Sequence, residues 1–135
     1  MNTENVYTET TAGVTIHVQP VFLDHQSEPQ QNHFVWAYHV RIENNGAESF
    51  QLISRYWRIT DLSGKVFEVQ GDGVVGEQPV LKPGDAYEYS SGTPLDTPSG
   101  FMSGTYTMLT KAGQNFDAVI PAFSLDSPHH IAQLH

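Results

Sequence analysis

The alternation of large apolar residues with other residues along short segments is the feature that most constrains how this chain can fold. In HFVWAYHVRIE every second residue is large and apolar: Phe34, Trp36, Tyr38, Val40 and Ile42. The segment VTIHVQPVF begins with the same alternation. A period of two places apolar side chains on one face of a β-strand, whereas an amphipathic helix repeats every 3.6 residues. No stretch shows the helical period, so the pattern predicts an all-β protein.

Turn residues separate the predicted strands. Asn44-Asn45-Gly46 is expected to close a hairpin, because Asn and Gly tolerate the positive φ of tight reversals. Lys82-Pro83-Gly84-Asp85 has Pro and Gly placed for a type II turn, and a hairpin is predicted around residues 111–114. The segment TPLDTPSG (93–100) is predicted to be a loop because of its Pro and Gly content.

The segment SFQLISRYWRIT has an apolar pattern that changes parity. Phe50 and Leu52 occupy even positions, whereas Trp57 and Ile59 occupy odd ones. A regular strand cannot bury both sets on one face. We therefore predict a β-bulge near Ile53–Ser54, or a strand covered on both faces.

Length and turn spacing together define the expected architecture. The chain has 135 residues, which is the size of one domain. Seven or more short strands predict a β-sandwich of two antiparallel sheets. We expect a single domain over residues 1–135, with an ordered core from about 6 to 125.

Composition excludes several classes of function. The chain has no cysteine, which rules out disulfides and thiolate chemistry. Fifteen acidic residues against six scattered basic ones give a net charge of −9, so nucleic acid is not an expected partner. The N-terminal segment lacks the pattern of a signal peptide, and no apolar run is long enough to cross a membrane. These features predict a soluble, cytoplasmic protein.

The stretch GDGVVG, residues 71–76, matches the G-x-G-x-x-G pattern of dinucleotide-binding proteins. In those proteins a helix follows the glycines, and its N-terminus binds the pyrophosphate. Here Pro79 and Pro83 follow within a few residues and prevent a useful helix. Asp96 lies near the spacing of the expected ribose-binding acid, but in a segment rich in proline. The pattern therefore disfavours a Rossmann fold.

Two interpretations of this stretch remain. In the first, Gly71, Gly73 and Gly76 supply positive-φ corners between two strands. In the second, the backbone N–H groups of Gly71, Asp72, Gly73 and Gly76 form an anion-binding nest without a helix, and Arg55 supplies the positive charge. The first interpretation is favoured, and the second identifies the only candidate ligand-binding residues.

Metal binding and catalysis find little support in the sequence. Seven histidines are present, and His25 and His33 flank one polar loop with Asp24 and Glu28. This spacing does not dictate convergence at metal-ligand distances, so we predict no metal and no cofactor. There is no G-x-S-x-G nucleophile motif, and no paired acid and base stand out. The chain is therefore predicted not to be an enzyme.

The aromatic residues fall into two groups. Trp36, Tyr38 and Trp57 are predicted to fill the core. Tyr56, Tyr87 and Tyr89 fall in places at alternating positions opposite to those of the predicted inward-facing residues. They are therefore predicted to form an exposed aromatic cluster. Such a cluster would suit a surface that binds a partner.

Three segments carry a family resemblance: RYWRITD (55–61), EVQGDGVVGEQPVLKPG (68–84) and YSSGTPLDTPSGFMSGTYTM (89–108). With them the chain resembles the ApaG family from about residue 14 to residue 125. The resemblance implies an immunoglobulin-like or fibronectin type III-like β-sandwich and an association with cobalt and magnesium resistance. The bacterial gene tends to lie beside that of a diadenosine-tetraphosphate hydrolase. Eukaryotic members are joined to an F-box protein and to a protein that binds DNA polymerase delta. No catalytic residues are implied.

Together these observations predict a non-catalytic binding module. Protein–protein recognition, through a sheet face or the loops at one end, is the leading hypothesis, and the partner is not identified by the sequence. The alternative is a phosphate-containing or nucleotide ligand at the GDGVVG stretch. An exposed edge strand would also allow a homodimer to form by strand pairing.

Overall fold

Two antiparallel β-sheets pack face to face in the computed structural model, which describes residues 5–129. One sheet has the order β1-β2-β3-β7, built from β1 (Tyr7–Thr11), β2 (Val14–Phe22), β3 (Phe34–Asn44) and β7 (Ala86–Leu95). The other has the order β5-β4-β8-β9, built from β4 (Phe50–Asp61), β5 (Val66–Asp72), β8 (Ser99–Thr110) and β9 (Asn115–Asp126), with the short β6 (Val80–Leu81) also paired to β4. The predicted all-β sandwich of two antiparallel sheets is confirmed.

The core forms where the alternating faces of the two sheets meet. Every apolar even-numbered residue of β3 is buried, as the period-two pattern predicts. Tyr38 of β3 contacts Trp57 of β4 with ring centroids 5.1 Å apart, and Trp57 contacts Phe123 of β9 at 6.1 Å. Tilted and edge-to-face aromatic pairs of this kind contribute about 0.5–1.5 kcal/mol each beyond their buried area. The contact between Tyr38 and Trp57 joins the two sheets at the centre of the sandwich, and the contact between Trp57 and Phe123 packs two strands of the five-stranded sheet together.

The predicted bulge lies in β4. Leu52 pairs with Met108 and Ser54 pairs with Thr107, so Ile53 is the additional residue. The extra residue reverses which parity faces inward. Phe50 and Leu52 are buried before it, and Trp57, Ile59 and Asp61 are buried after it.

Two of the predicted turns are present. Asp85 N–H donates to the Lys82 carbonyl at 2.9 Å, and Gly84 has a φ of 90°, as a type II turn requires. Thr110 N–H donates to the Gln114 carbonyl at 2.8 Å and closes the hairpin between β8 and β9.

The predicted hairpin at Asn44–Gly46 is wrong, because β3 and β4 lie in different sheets. The chain crosses between the sheets here, and the buried Asn44 side chain stabilises the crossing. Its Nδ2 donates to the carbonyls of Glu48 and Leu81, at 2.8 and 2.9 Å, and its Oδ1 accepts from Gly46 N–H at 3.0 Å.

The segment 93–100 is also not the loop that its proline content predicts. Residues 93–95 end β7 and residues 99–100 begin β8. Pro94 is tolerated because β7 is an edge strand that pairs only with β3 in the described part of the chain. A strand edge that faces away from the sheet needs no N–H donor.

The two lateral sides of the sandwich differ. On one side β1 approaches β9, and Val119 N–H donates to the Thr11 hydroxyl oxygen at 3.1 Å. On the other side β5 and β7 are both edge strands, and none of the strands within residues 5–129 pairs with the outer edge of β5. Most residues of β5 are exposed. The glycine-rich stretch lies at the end of this open strand.

Candidate functional site

The glycine-rich stretch ends β5 and turns the chain towards β6. Val74 and Glu77 exchange two backbone hydrogen bonds, at 2.8 and 2.9 Å. Val75 and Gly76 between them have φ values of 49° and 80°, which is the signature of a two-residue type I′ turn. The expectation that this stretch is a bend between extended segments is confirmed, and no helix begins here.

Gly73 is the position where only glycine fits. Its φ is 62°, and a Cβ atom built there would lie 2.1 Å from the carbonyl oxygen of Glu77. A contact that short cannot be relieved without moving the turn. The fully buried Val74 beside it anchors the turn to the core.

Arg55 lies against this stretch from the neighbouring strand. It pairs with Gly71 in the β4–β5 register, and its Nη1 donates to the carbonyls of Asp72 and Gly73 at 3.1 and 2.9 Å. A Cβ atom at Gly71 would meet the guanidinium at 2.9 Å, so glycine makes room for it. The structure therefore brings together four of the predicted ligand-binding residues, while Gly76 lies at the tip of the turn.

Several N–H groups of the stretch are already used within the protein. Gly73 N–H donates to Ile53, and Val74 and Glu77 donate to each other. The guanidinium of Arg55 has no carboxylate within ion-pair distance in the described part of the chain. The hypothesis of an anion site at this loop stays a prediction, with Arg55 as its main positive charge.

A polar groove of about 620 Å³ runs beside the loop along the outer face of the five-stranded sheet. Arg55, Gly71 and Asp72 contribute to it, and the rest is lined by hydroxyl groups of β4 and β8 together with Gln70 and Asp117. Next to it the hydroxyl of Tyr56 donates to Glu68 at 2.7 Å. This hydrogen bond is the main reason that the pKa of Tyr56 is raised.

A buried tyrosine cluster lies on the inner side of Arg55, and the sequence analysis missed it. The hydroxyls of Tyr89 and Tyr106 are hydrogen-bonded to each other. Burial raises the pKa of Tyr38, Tyr89 and Tyr106, and the nearby positive charge of Arg55 opposes that rise. The predicted exposure of Tyr89 is wrong, because it pairs with Val40 and shares its inward face.

The other aromatic predictions have mixed outcomes. Trp36, Tyr38 and Trp57 are buried in the core as predicted. Tyr56 and Tyr87 are half-buried, so the exposed tyrosine cluster does not form.

Exposed apolar side chains occur on β5 instead. Val66, Phe67 and Val69 are each 38–40% exposed. Phe67 and Val69 pair with the inward-facing Ile59 and Trp57, so they extend the apolar inner face beyond the core. The sequence contained a signal for this, since VFEVQ alternates, but the alternation alone does not distinguish an edge strand from a covered one.

The histidines of the four-stranded sheet form surface hydrogen bonds. His17 Nε2 lies 3.1 Å from Glu43, and His39 Nε2 lies 3.2 Å from Glu88. Arg41 bridges the two carboxylates. Hydrogen bonds from Arg41 and then His17 lower the pKa of Glu43 to about 2.

Within residues 5–129, no three His, Cys, Asp or Glu side chains are placed to hold a metal ion. Two of the seven histidines, at positions 130 and 135, lie outside the described residues. None of the described helices has the length and apolar character needed to span a bilayer.

The described structure thus defines a class: an antiparallel β-sandwich with a glycine type I′ turn at the end of an exposed edge strand. The family model described as the ApaG domain matches residues 24–110. Protein ApaG of Rhodospirillum centenum is 60% identical over 92% of this chain and 95% of its own length. Protein ApaG of Paramagnetospirillum magneticum is 60% identical over 96% and 99%.

A solved structure is similar as well. The crystal structure of a Bordetella pertussis chain described as an ApaA protein matches with a TM-score of 0.83 and 45% identity, over 90% of this chain and 96% of that one. The chain belongs to the ApaG family. None of these matches assigns a biochemical activity.

Proposed function

We propose that this chain is a non-catalytic binding module that recognises a protein partner by accepting an extended segment of it beside β5. The observation that carries the proposal is the open edge of β5, which has a strand on one side only in the described part of the chain. Strand addition to an exposed sheet edge is a common mode of peptide recognition.

The hydrogen-bond pattern identifies which groups of β5 are free. Asp61 N–H donates to the Lys65 carbonyl, and Gly73 N–H donates to the Ile53 carbonyl. In an antiparallel ladder, bonded pairs alternate with non-bonded pairs, so the odd-numbered residues of β5 bond to β4. The backbone groups of Val66, Glu68 and Gln70 therefore point away from the sheet, where a partner strand would bond to them.

The side chains of β5 define the chemistry of the partner segment. Phe67 and Val69 face the inner, apolar side of the sandwich, and Glu68 and Gln70 face the polar outer side. A strand beside β5 would continue both faces. We therefore expect the partner segment to alternate apolar and polar residues, with its apolar side chains beside Phe67 and Val69.

Gln70→Pro is the variant that tests this proposal. Proline removes an N–H that points outwards and leaves the odd-numbered bonds to β4 in place. Gln70→Ala is the matched control, because it removes the same side chain and keeps the N–H. We expect affinity capture followed by mass spectrometry to recover the same partner with wild type and Gln70→Ala, and to lose it with Gln70→Pro.

Two further measurements make the outcome decisive. Amide spectra must show that Gln70→Pro retains the fold, and capture that is unchanged in the folded variant contradicts the proposal. Light scattering over a range of concentrations tests a second copy of the chain as the occupant. If wild type and Gln70→Ala form a dimer and Gln70→Pro does not, β5 is a homodimer interface rather than a site for a different protein.

A phosphate-bearing ligand at the glycine turn is the second candidate. Arg55 favours it, because its guanidinium is held against Gly71 without a carboxylate partner among the described residues. We expect millimolar pyrophosphate to shift the amides of residues 71–76 in wild type and not in Arg55→Met. Gly73→Val is unsuitable as a test, because its side chain would disrupt the turn. Absence of any shift in the wild type would exclude this candidate.

The cytoplasmic location, the absence of a nucleic-acid partner and the link to cobalt and magnesium resistance stay predictions from the sequence and from the resemblance.

A further inference from the structure

A cleft of about 390 Å³ lies at one end of the five-stranded sheet. It is formed where the start of β4 pairs with β6 on one side and with the end of β8 on the other. Gln51 pairs with both Val80 and Leu109, and all three line the cleft. Its volume is within the range of sites that bind small molecules.

Two lysines flank this cleft. Continuing the β4–β6 and β4–β8 registers by two residues places Lys82 and Lys111 on either side of Ser49. Residues two strands apart are about 10 Å apart at their Cα atoms, and each lysine stem is flexible enough to reach the space between them. Both ammonium groups can therefore approach one ligand.

The charge of the cleft differs from that of the whole protein. The chain has a net charge of −9 and only six basic residues, and two of the six line this cleft. Among residues 5–129, no carboxylate lines it. In the described part of the chain, Lys82 and Lys111 form no ion pair. The nearest acid in the turn, Asp85, accepts a hydrogen bond from the backbone N–H of Lys82 at 3.0 Å.

The rest of the lining is largely apolar. Val80 lies on the rim and is 59% exposed. Leu109 is half-buried, and Phe50 lies beneath. An anionic head group between the lysines would leave an apolar body against Val80 and Leu109.

We propose that this cleft binds a small organic anion that carries one carboxylate or phosphate group on a short apolar body. None of the residues predicted to bind at the glycine turn lines the cleft. The site is therefore separate from both functions proposed above.

Hexanoate and hexyl phosphate are the probes that test this proposal, with 1-hexanol, acetate and inorganic phosphate as partial probes. We expect the two complete probes to shift the backbone amides of Gln51, Val80 and Leu109 at millimolar concentration. The partial probes should shift them far less, because each lacks either the charge or the apolar body. Whichever of hexanoate and hexyl phosphate binds more tightly identifies the preferred head group.

Lys82→Met with Lys111→Met is the decisive variant, because methionine keeps the apolar stem and removes the charge. We expect the double variant to bind at least about tenfold more weakly, as the loss of charge-assisted contacts predicts. Lys65→Met, at the opposite end of the sheet, is the matched control and should bind as wild type does. High salt should weaken binding to the wild type.

Three results would overturn the proposal. The first is no shift of these amides with either complete probe. The second is binding of hexanol as strong as that of hexanoate. The third is a double variant that keeps wild-type affinity while its spectrum shows an intact fold.

Discussion

Val75 adopts a backbone conformation that its side chain disfavours. Its φ of 49° lies in the left-handed region, and its side chain is 65% exposed, so little packing compensates. Asn and Gly are the residues that type I′ turns prefer, and a β-branched residue there is an outlier. A strained residue in an exposed turn is more typical of a functional site than of a structural one.

Val75→Asn is therefore expected to stabilise the protein. The strain relieved should raise the free energy of unfolding by about 1 kcal/mol, measured by urea denaturation. Val21→Asn is the control, since Val21 is also exposed but lies in the regular strand β2. It should lose stability, because asparagine is a poor strand former. A Val75→Asn variant no more stable than wild type would show that the turn is not strained.

Single residues also show how much of the structure of the GDGVVG stretch could be predicted from the sequence. The two prolines after it correctly excluded a helix. Gly73 and Gly76 adopt the predicted positive φ, whereas Gly71 lies within β5 and does not. The contact of Arg55 with Gly71 could not be derived, because it depends on the register between β4 and β5.

At the scale of elements, the alternation predicted the strands better than it predicted their partners. The bulge in β4 was predicted because a parity change within one segment is a local signal. The crossing at Asn44–Gly46 was not, because the same residues suit a hairpin and a crossing between sheets. The difference is made by contacts distant in sequence, such as the hydrogen bond from Asn44 to Leu81.

The ion-pair network across β2, β3 and β7 gives a pH-dependent prediction. The pKa of Glu43 is lowered to about 2 from an ordinary 4.5, mainly by Arg41. Because the pKa of Glu43 is lower in the folded state than in the unfolded chain, its ionised carboxylate stabilises the fold above pH 4.5. That contribution is lost as the pH falls towards 2. Because Glu43 is partly exposed, we expect Glu43→Gln to cost about 1 kcal/mol at neutral pH.

The measurement is urea denaturation from pH 7 down to pH 2. The difference between wild type and Glu43→Gln should shrink below pH 4.5 and disappear near pH 2. Glu9→Gln is the control, because Glu9 is exposed in β1 and forms no ion pair in the described residues. A difference that does not depend on pH would contradict the assigned network.

At the scale of the whole molecule, the two sides of the sandwich differ in structure. The side where β1 meets β9 is closed by a hydrogen bond between the sheets. The side of β5 and β7 is open. This asymmetry could not be predicted from the sequence, because VFEVQ alternates as a covered strand would. Its exposure follows from the widths and the relative position of two sheets, which no local pattern encodes.

Hydrogen exchange should reveal this asymmetry directly. The amides of Phe67, Val69 and Gly71 bond to β4 and should exchange at least about 1,000-fold more slowly than unstructured amides. Those of Glu68 and Gln70 face outwards and should exchange nearly as fast as unstructured ones. Along β8, which lies between β4 and β9, neighbouring amides should all be protected.

A bound partner strand would abolish the alternation, since the amides of Glu68 and Gln70 would then donate to it. The same slowing with rising protein concentration alone would indicate that a second copy occupies the edge. Uniform protection of β5 at high dilution would mean that its outer edge is covered within one chain. The proposed mode of recognition would then be wrong, because strand addition requires those outward N–H groups to be free.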